Sequence, residues 1–258
     1  MVMHTEKPLL HIQNVALKFG GLVALEDVSF DVFPGQICGL IGPNGAGKSS
    51  LFNCVTRLYE PTGGSIEYKG ESLLARRARE IVALGIARTF QDLSLFTELT
   101  VRQNVAMGAH HRLRSSVGGI MRRASRYVEE ERLIDHELNG VLDVLALRDV
   151  QHMQVGDLPY GTMKRVELAR VLLARPALVL LDEPASGLTQ AEVLALAQLI
   201  VEIKNEYKLT VLLVEHHMGM VMKISDHIVV LNLGRNIADG DPQSIQSNPL
   251  VARAYLGD

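Results

Sequence analysis

Gly42-Pro43-Asn44-Gly45-Ala46-Gly47-Lys48-Ser49 fills every fixed position of the phosphate-binding P-loop pattern. Its flanks agree with it. Gln36 to Ile41 is an apolar run that reads as a buried strand entering the loop, and Ser50 to Leu58 has the apolar spacing of a helix leaving it. The glycines allow positive φ and close backbone approach, so successive N–H groups at the helix N-terminus can cup phosphate oxygens. Lys48 is then placed for the β- and γ-phosphates and the Ser49 hydroxyl for Mg²⁺. A Gly-rich turn with a surface lysine is the bland alternative, but the whole pattern in register between strand and helix favours a nucleoside triphosphate site.

The 258 residues, 47% of them hydrophobic, supply ample core for one large domain or two small ones. A net charge of −3 argues against a chain that coats nucleic acid. Cys38 and Cys54 lie in apolar strand and helix patterns and read as core thiols of a cytosolic protein, not as a metal pair or a disulfide. Met1 to Pro8 lacks the apolar centre of a signal peptide. The densest apolar segments, Ala177 to Leu181 and Thr210 to Val214, are strand-length, so any work at a membrane would be that of a peripheral subunit.

Outward from the loop, Leu9 to Val15 and Val28 to Val32 alternate like strands, and Pro34-Gly35 marks the turn before the loop strand. Pro61-Thr62-Gly63-Gly64 is a turn into a short strand near Ser65 to Tyr68. From about Leu93 to Leu158 the pattern is mostly helical and includes the polar run His110 to Arg132. Strand-length apolar runs return at Leu178 to Leu181 and Thr210 to Val214, each after a helical stretch, which predicts βαβ units and a parallel sheet. The organisation is an α/β nucleotide-binding core interrupted by a helical insertion. Asp182-Glu183 ends the first of those runs; an Asp there can hold Mg²⁺ through water, and the next carboxylate can act as general base on an attacking water.

Leu158-Pro159-Tyr160-Gly161-Thr162, ahead of the helical pattern Met163 to Leu173, makes the resemblance specific: with the motifs above, the chain resembles the ATP-binding subunits of ABC transporters over essentially its whole length. The resemblance implies a fold of one ABC cassette, residues 1–258: an α/β P-loop NTPase core of the RecA type with an antiparallel β-subdomain, over about 1–92 and 163–258, and an inserted helical subdomain, over about 93–162. It implies that Leu158 to Thr162 are the signature that contacts nucleotide held by the opposite subunit. It also implies that Gln91, in Arg88-Thr89-Phe90-Gln91, is the Q-loop glutamine, with a place in catalysis and at the metal beside Ser49 and Asp182. His216 matches the switch histidine, Phe19 the aromatic residue that stacks on adenine, Gly42 to Ser50 the phosphate cradle, and Ser186-Gly187-Leu188-Thr189 the D-loop. In isolation Gln91 would read as a loop residue, His216 as a strand-end cap and Phe19 as core; their order carries the weight.

Phe52-Asn53-Cys54, Gly85 to Gln91, the Leu-Pro-Tyr-Gly signature and the C-terminal Ala254-Tyr255-Leu256-Gly257 are similar to one of the two ATPases of high-affinity branched-chain amino-acid importers. That subgroup implies an ATP- and Mg²⁺-dependent ATPase at the cytoplasmic face of the bacterial plasma membrane. Its implied partners are a second, LivF-like ATPase subunit or a second copy of the chain, two membrane permeases and, through them, a periplasmic or extracellular solute-binding protein. Glu183 and His216 would act on the water and Lys48 on the γ-phosphate. A lipopolysaccharide-export ATPase is the nearest rival within transport, and an iron–sulfur assembly ATPase the rival outside it. Departures from the broad family stand out: Pro159 replaces the usual signature Ser, Tyr160 a Gly, Thr162 a Gln, and Thr189 the D-loop Asp. Arg112, Arg114, Arg122, Arg123 and Arg126 form a basic stretch that reads more simply as a solvated face than as a contact for anionic lipid.

Overall fold

The computed structural model describes residues 7–91, 93–112 and 124–256, without the side chains of 124–128 and 256. Its elements in chain order are β1 (Leu10–Phe19), β2 (Leu22–Val32), β3 (Ile37–Ile41), α1 (Lys48–Val55), β4 (Gly63–Tyr68), β5 (Glu71–Ser72) and β6 (Ile86–Arg88). The middle of the chain holds α2 (Val101–Ala106), α3 (Ala124–Val144) and α4 (Tyr160–Leu173). Then come β7 (Leu178–Asp182), α5 (Gln190–Tyr207), β8 (Thr210–Val214), α6 (Met218–Ile224), β9 (His227–Asn232), β10 (Arg235–Gly240), α7 (Pro242–Gln246) and α8 (Pro249–Leu256).

The central sheet runs β10-β9-β3-β8-β7-β6, with only the β9–β10 pair antiparallel. Its inner strands are apolar on both faces because both faces are covered. In β7, Leu178 and Leu180 join one core while Val179 and Leu181 join another; in β8, Leu212 and Val214 pair off against Val211 and Leu213 in the same way. The first core is shared with α1 and with an antiparallel sheet of order β2-β1-β4-β5; the second is shared with α2 to α5. Cys38 and Cys54 are buried in the first, and burial pushes Cys54 up to about 11 and Cys38 well above its ordinary value, so both are core thiols.

The antiparallel sheet reaches further than alternation predicts. β1 continues to Phe19 and β2 begins at Leu22, joined through Gly20-Gly21, because register shifts and a positive φ of 50° at Asn14 break the period of two inside β1. The loop helix is shorter than its apolar spacing suggests: Arg57 takes a φ of 60° just beyond the Thr56 cap. Helix starts follow local chemistry. Thr189 caps α5 in a reciprocal box with Glu192, and Thr100 does the same for α2 with Gln103. Thr189, a departure from the D-loop Asp, therefore has a structural task as a cap.

Of the basic stretch, Arg112 binds Glu137 on α3 at 2.6 Å and the Leu173 carbonyl on α4 at 3.2 Å, so it locks two helices together. Arg114, Arg122, Arg123 and the side chain of Arg126 lie outside the described residues.

Candidate active site

The P-loop sits where β3, at the middle of the sheet, hands over to α1. Gly42 has a φ of 150°, and a Cβ there would stand 2.1 Å from the Leu231 carbonyl oxygen of β9. Gly47, at φ 101°, is the N-cap of α1 and lies so close to β2 that a Cβ would be 2.7 Å from the Ala24 carbonyl. Only glycine fits either position without moving backbone. Lys48 is buried and donates to the Gly42 and Pro43 carbonyls at 2.7 and 3.0 Å, leaving the third hydrogen of its ammonium group for a ligand. Burial lowers its affinity for the proton, while the nearby Glu183 and Asp182 carboxylates oppose that shift.

A cleft of about 330 Å³ opens over this loop, lined by Asn44 to Ser50, by Phe19, Leu22, Val23 and Ala24 from the β1–β2 hairpin, and by Glu183 and His216. Phe19 is 45% exposed and rests edge-on against Tyr59, ring centroids 5.1 Å apart at 78°. The ring is therefore held from one side while the residue remains open to a flat ligand.

Glu183 is the junction of the catalytic candidates. It follows β7 with a φ of 47°, in the left-handed region that costs a non-glycine residue about 1–2 kcal/mol. Its Oε2 accepts from Gln91 Nε2 at 3.0 Å and its Oε1 lies 2.8 Å from His216 Nε2. Three residues far apart in sequence are thus brought into one hydrogen-bonded chain at the mouth of the cleft.

Asp182 is 3% exposed; its Oδ2 pairs with Arg88 Nη2 at 2.7 Å, and its Oδ1 is buried with no protein partner. A buried carboxylate oxygen left unmatched, close enough to the P-loop for its charge to act on Lys48, suits a hard divalent cation that brings its own waters. Among the described residues no cluster of three or more His, Cys, Asp or Glu side chains could hold a metal unaided, so such a cation would need phosphate oxygens as well.

The signature residues Leu158 to Thr162 are not part of this cleft. Pro159 is the N-cap of α4 with no side-chain cap bond, Leu158 is buried, and Tyr160 is 41% exposed with its ring against Gly187. Within one chain, the cleft over the P-loop and the Leu158 to Thr162 segment are separate.

Four groups that motif reading passed over belong to the site's frame. Arg88 is nearly buried between the Phe52 and Phe90 rings, 5.4 and 5.1 Å from their centroids, and also donates to Asn53 Oδ1 at 2.6 Å. Glu167 on α4 accepts from the Phe90 N–H at 3.1 Å. Glu215, at the end of β8, is 1% exposed and binds both flanking loops. Leu22 to Ala24 furnish an apolar wall. A charged residue ending an apolar run was the available signal for Arg88 and Glu215; nothing in the sequence pointed to Glu167.

Comparison with known proteins places these features. A family profile described as ABC transporter matches residues 25–186, and one described as branched-chain amino acid ATP-binding cassette transporter matches residues 235–258. The chain is 39% identical to the high-affinity branched-chain amino acid transport ATP-binding protein LivG of Escherichia coli K12, over 98% of this chain and 99% of that protein. BraF of Pseudomonas aeruginosa, named for the same transport function, is also 39% identical, over 98% of this chain and 99% of its own. Among solved structures, the nucleotide-free form and the ADP conformation of ABC-transporter ATP-binding cassettes superpose with TM-scores of 0.84 and 0.85 at 28% identity, each over 98% of this chain and 100% of theirs.

Proposed function

The chain belongs to the ABC transporter ATP-binding family and is an ATPase of that kind, and we propose that it energises an importer for branched-chain amino acids. The solute reading is carried by the near full-length similarity to LivG and BraF, together with the separate match of residues 235–258. We take residues 93–162 as the helical subdomain that meets the permeases, and the rest as nucleotide core and β-subdomain.

In this reading ATP lies with its adenine on Phe19 and its phosphates in the Gly42–Ser50 cradle. The loop amides and Lys48 take up charge that develops on the γ-phosphate. Ser49 and Asp182 Oδ1, with Gln91, which reaches Glu183, would hold Mg²⁺, and that ion would supply neutralisation of phosphate charge. Glu183 accepts the proton of the attacking water, and His216, in contact with Glu183, keeps that water in line. The separation of the signature from the cleft supports a head-to-tail pair, in which Leu158 to Thr162 of one subunit close the P-loop site of another.

The second subunit would be a LivF-like ATPase or another copy of the chain. No described helix is long and apolar enough to cross a membrane. Attachment to the cytoplasmic face would therefore come through two permeases, which also connect to an external solute-binding protein.

Reconstitution tests the solute assignment. With the co-encoded permeases, partner ATPase and binding protein in vesicles, leucine, isoleucine or valine should stimulate ATP hydrolysis and drive uptake. Stimulation by an unrelated solute and none by these three would overturn it.

A further inference from the structure

β7 and β8 are paired along their whole length, and the last rungs of the ladder are the Asp182–Val214 pair and the Glu183 N–H bond to the Val214 carbonyl at 2.9 Å. Beyond that point the two segments separate into the turn that carries Glu183 and the turn that carries His216. Glu215 stands at this fork, 1% exposed. Its Oε1 accepts from the Ala185 N–H at 2.7 Å, on the Glu183 side. Its Oε2 accepts from the His216 and His217 N–H groups at 2.8 and 3.0 Å, and His217 Nδ1 lies 3.1 Å from the same oxygen.

We infer that Glu215 is a positioning residue for hydrolysis: its carboxylate serves as one further rung across the fork and fixes Glu183 and His216 in register. The inference rests on the reading of Glu183 and His216 as the pair that handles the water. The chemistry asks for a carboxylate. Backbone N–H groups point at both oxygens, from Ala185 on one side and from His216 and His217 on the other, so the bridging group needs two acceptor oxygens, which an amide cannot offer. Hydrogen bonds to an anionic acceptor are also the strong ones, and they are made here out of reach of water. The contact being held, 2.8 Å between Glu183 Oε1 and His216 Nε2, tolerates little error, since a displacement of about 1 Å in a catalytic array can cost roughly a hundredfold in rate.

Glu215→Gln and His216→Ala, singly and together, test this in the full chain purified with its co-expressed transporter subunits. Glu215→Gln should lower kcat by about ten- to a hundredfold, while ATP affinity and the half-saturating ATP concentration stay within about twofold of wild type. The double variant should be no slower than His216→Ala, because register between the two turns matters only while both partners of the contact are present. Glu215→Asp keeps charge and acceptors but is one methylene too short to span the fork. It should fold and show the same kcat-only loss, and it carries the test if the Gln variant does not fold. Wild-type kcat in Glu215→Gln, or losses in the double variant that multiply, would overturn the inference and leave the catalytic pair standing. Full activity in His216→Ala would instead overturn the pair itself, and the inference with it.

Discussion

Replacing Glu183 by Gln should separate chemistry from binding, and the structure says why the exchange is clean. Glu183 uses one oxygen toward Gln91 and the other toward His216, at 3.0 and 2.8 Å. A glutamine can keep Oε1 as acceptor for Gln91 and turn its amide nitrogen to His216, whose ring accepts once its proton sits on the other nitrogen. Every hydrogen bond is then made, the left-handed backbone is undisturbed, and Lys48 keeps its own loop partners. What disappears is the ability to take a proton from water. General-base loss of this type is worth about 10²-fold or more, which corresponds to a barrier increase of at least ~2.7 kcal/mol at ~1.36 kcal/mol per tenfold. Single-turnover hydrolysis of labelled ATP, beside equilibrium nucleotide titration, gives both quantities. Hydrolysis should collapse while affinity holds, and Mg²⁺–ATP should trap the closed pair of subunits. Wild-type turnover would refute the assignment of the base, and a parallel loss of affinity would refute the argument that the network is re-satisfied.

Lys48→Ala should weaken ATP binding at least about tenfold, since a hydrogen bond from a charged donor contributes about 1.5–3 kcal/mol; equal affinity by titration would remove the lysine from the phosphate site. Pro159 offers no hydroxyl to a γ-phosphate, so the site this chain completes on a partner should be the slower of the two. In a mixed pair Glu183→Gln should therefore hurt more than the matching change in the partner, and comparable losses would refute the asymmetry. Burial holds the Glu167 carboxyl above its ordinary range. A raised folded-state value means a stability contribution that is full below the unfolded-chain value and is lost as pH rises through the folded one. Glu167→Gln keeps an acceptor for the Phe90 N–H and should flatten that decline in melting temperature against pH; an unchanged slope would count against it.

The loop, the two inner strands and the order of the motifs were legible because each is local. A buried strand feeding a Gly-rich turn, or one ending in Asp-Glu, needs no knowledge of what packs on it. β10 escaped notice because a pattern of polar and small residues on an edge strand carries no period. β1 was cut short at Val15 because a left-handed Asn14 shifts the alternation, and a shifted alternation looks like its end. Arg88 and Glu215 were hidden for a different reason. A charge beside a motif looks solvated in sequence, and only the fold shows that these two are buried and that their partners come from other elements. The supports behind Gln91 had no precursor in the pattern.

One of those supports ties α4 to the loop that carries Gln91. Glu167 sits seven residues after Tyr160, two turns or about 10 Å along α4, and holds the N–H of the residue that precedes Gln91. One helix therefore has Tyr160 and Gly161 at its first turn and, two turns down, a grip on the stretch of chain that feeds Gln91 to Glu183. Slippage of that helix by half an ångström along the Gln91–Glu183 direction would stretch their 3.0 Å bond to the limit of a hydrogen bond. The reach of Gln91 to Glu183 is therefore set by where α4 lies, through the one hydrogen bond that Glu167 makes to the Phe90 N–H.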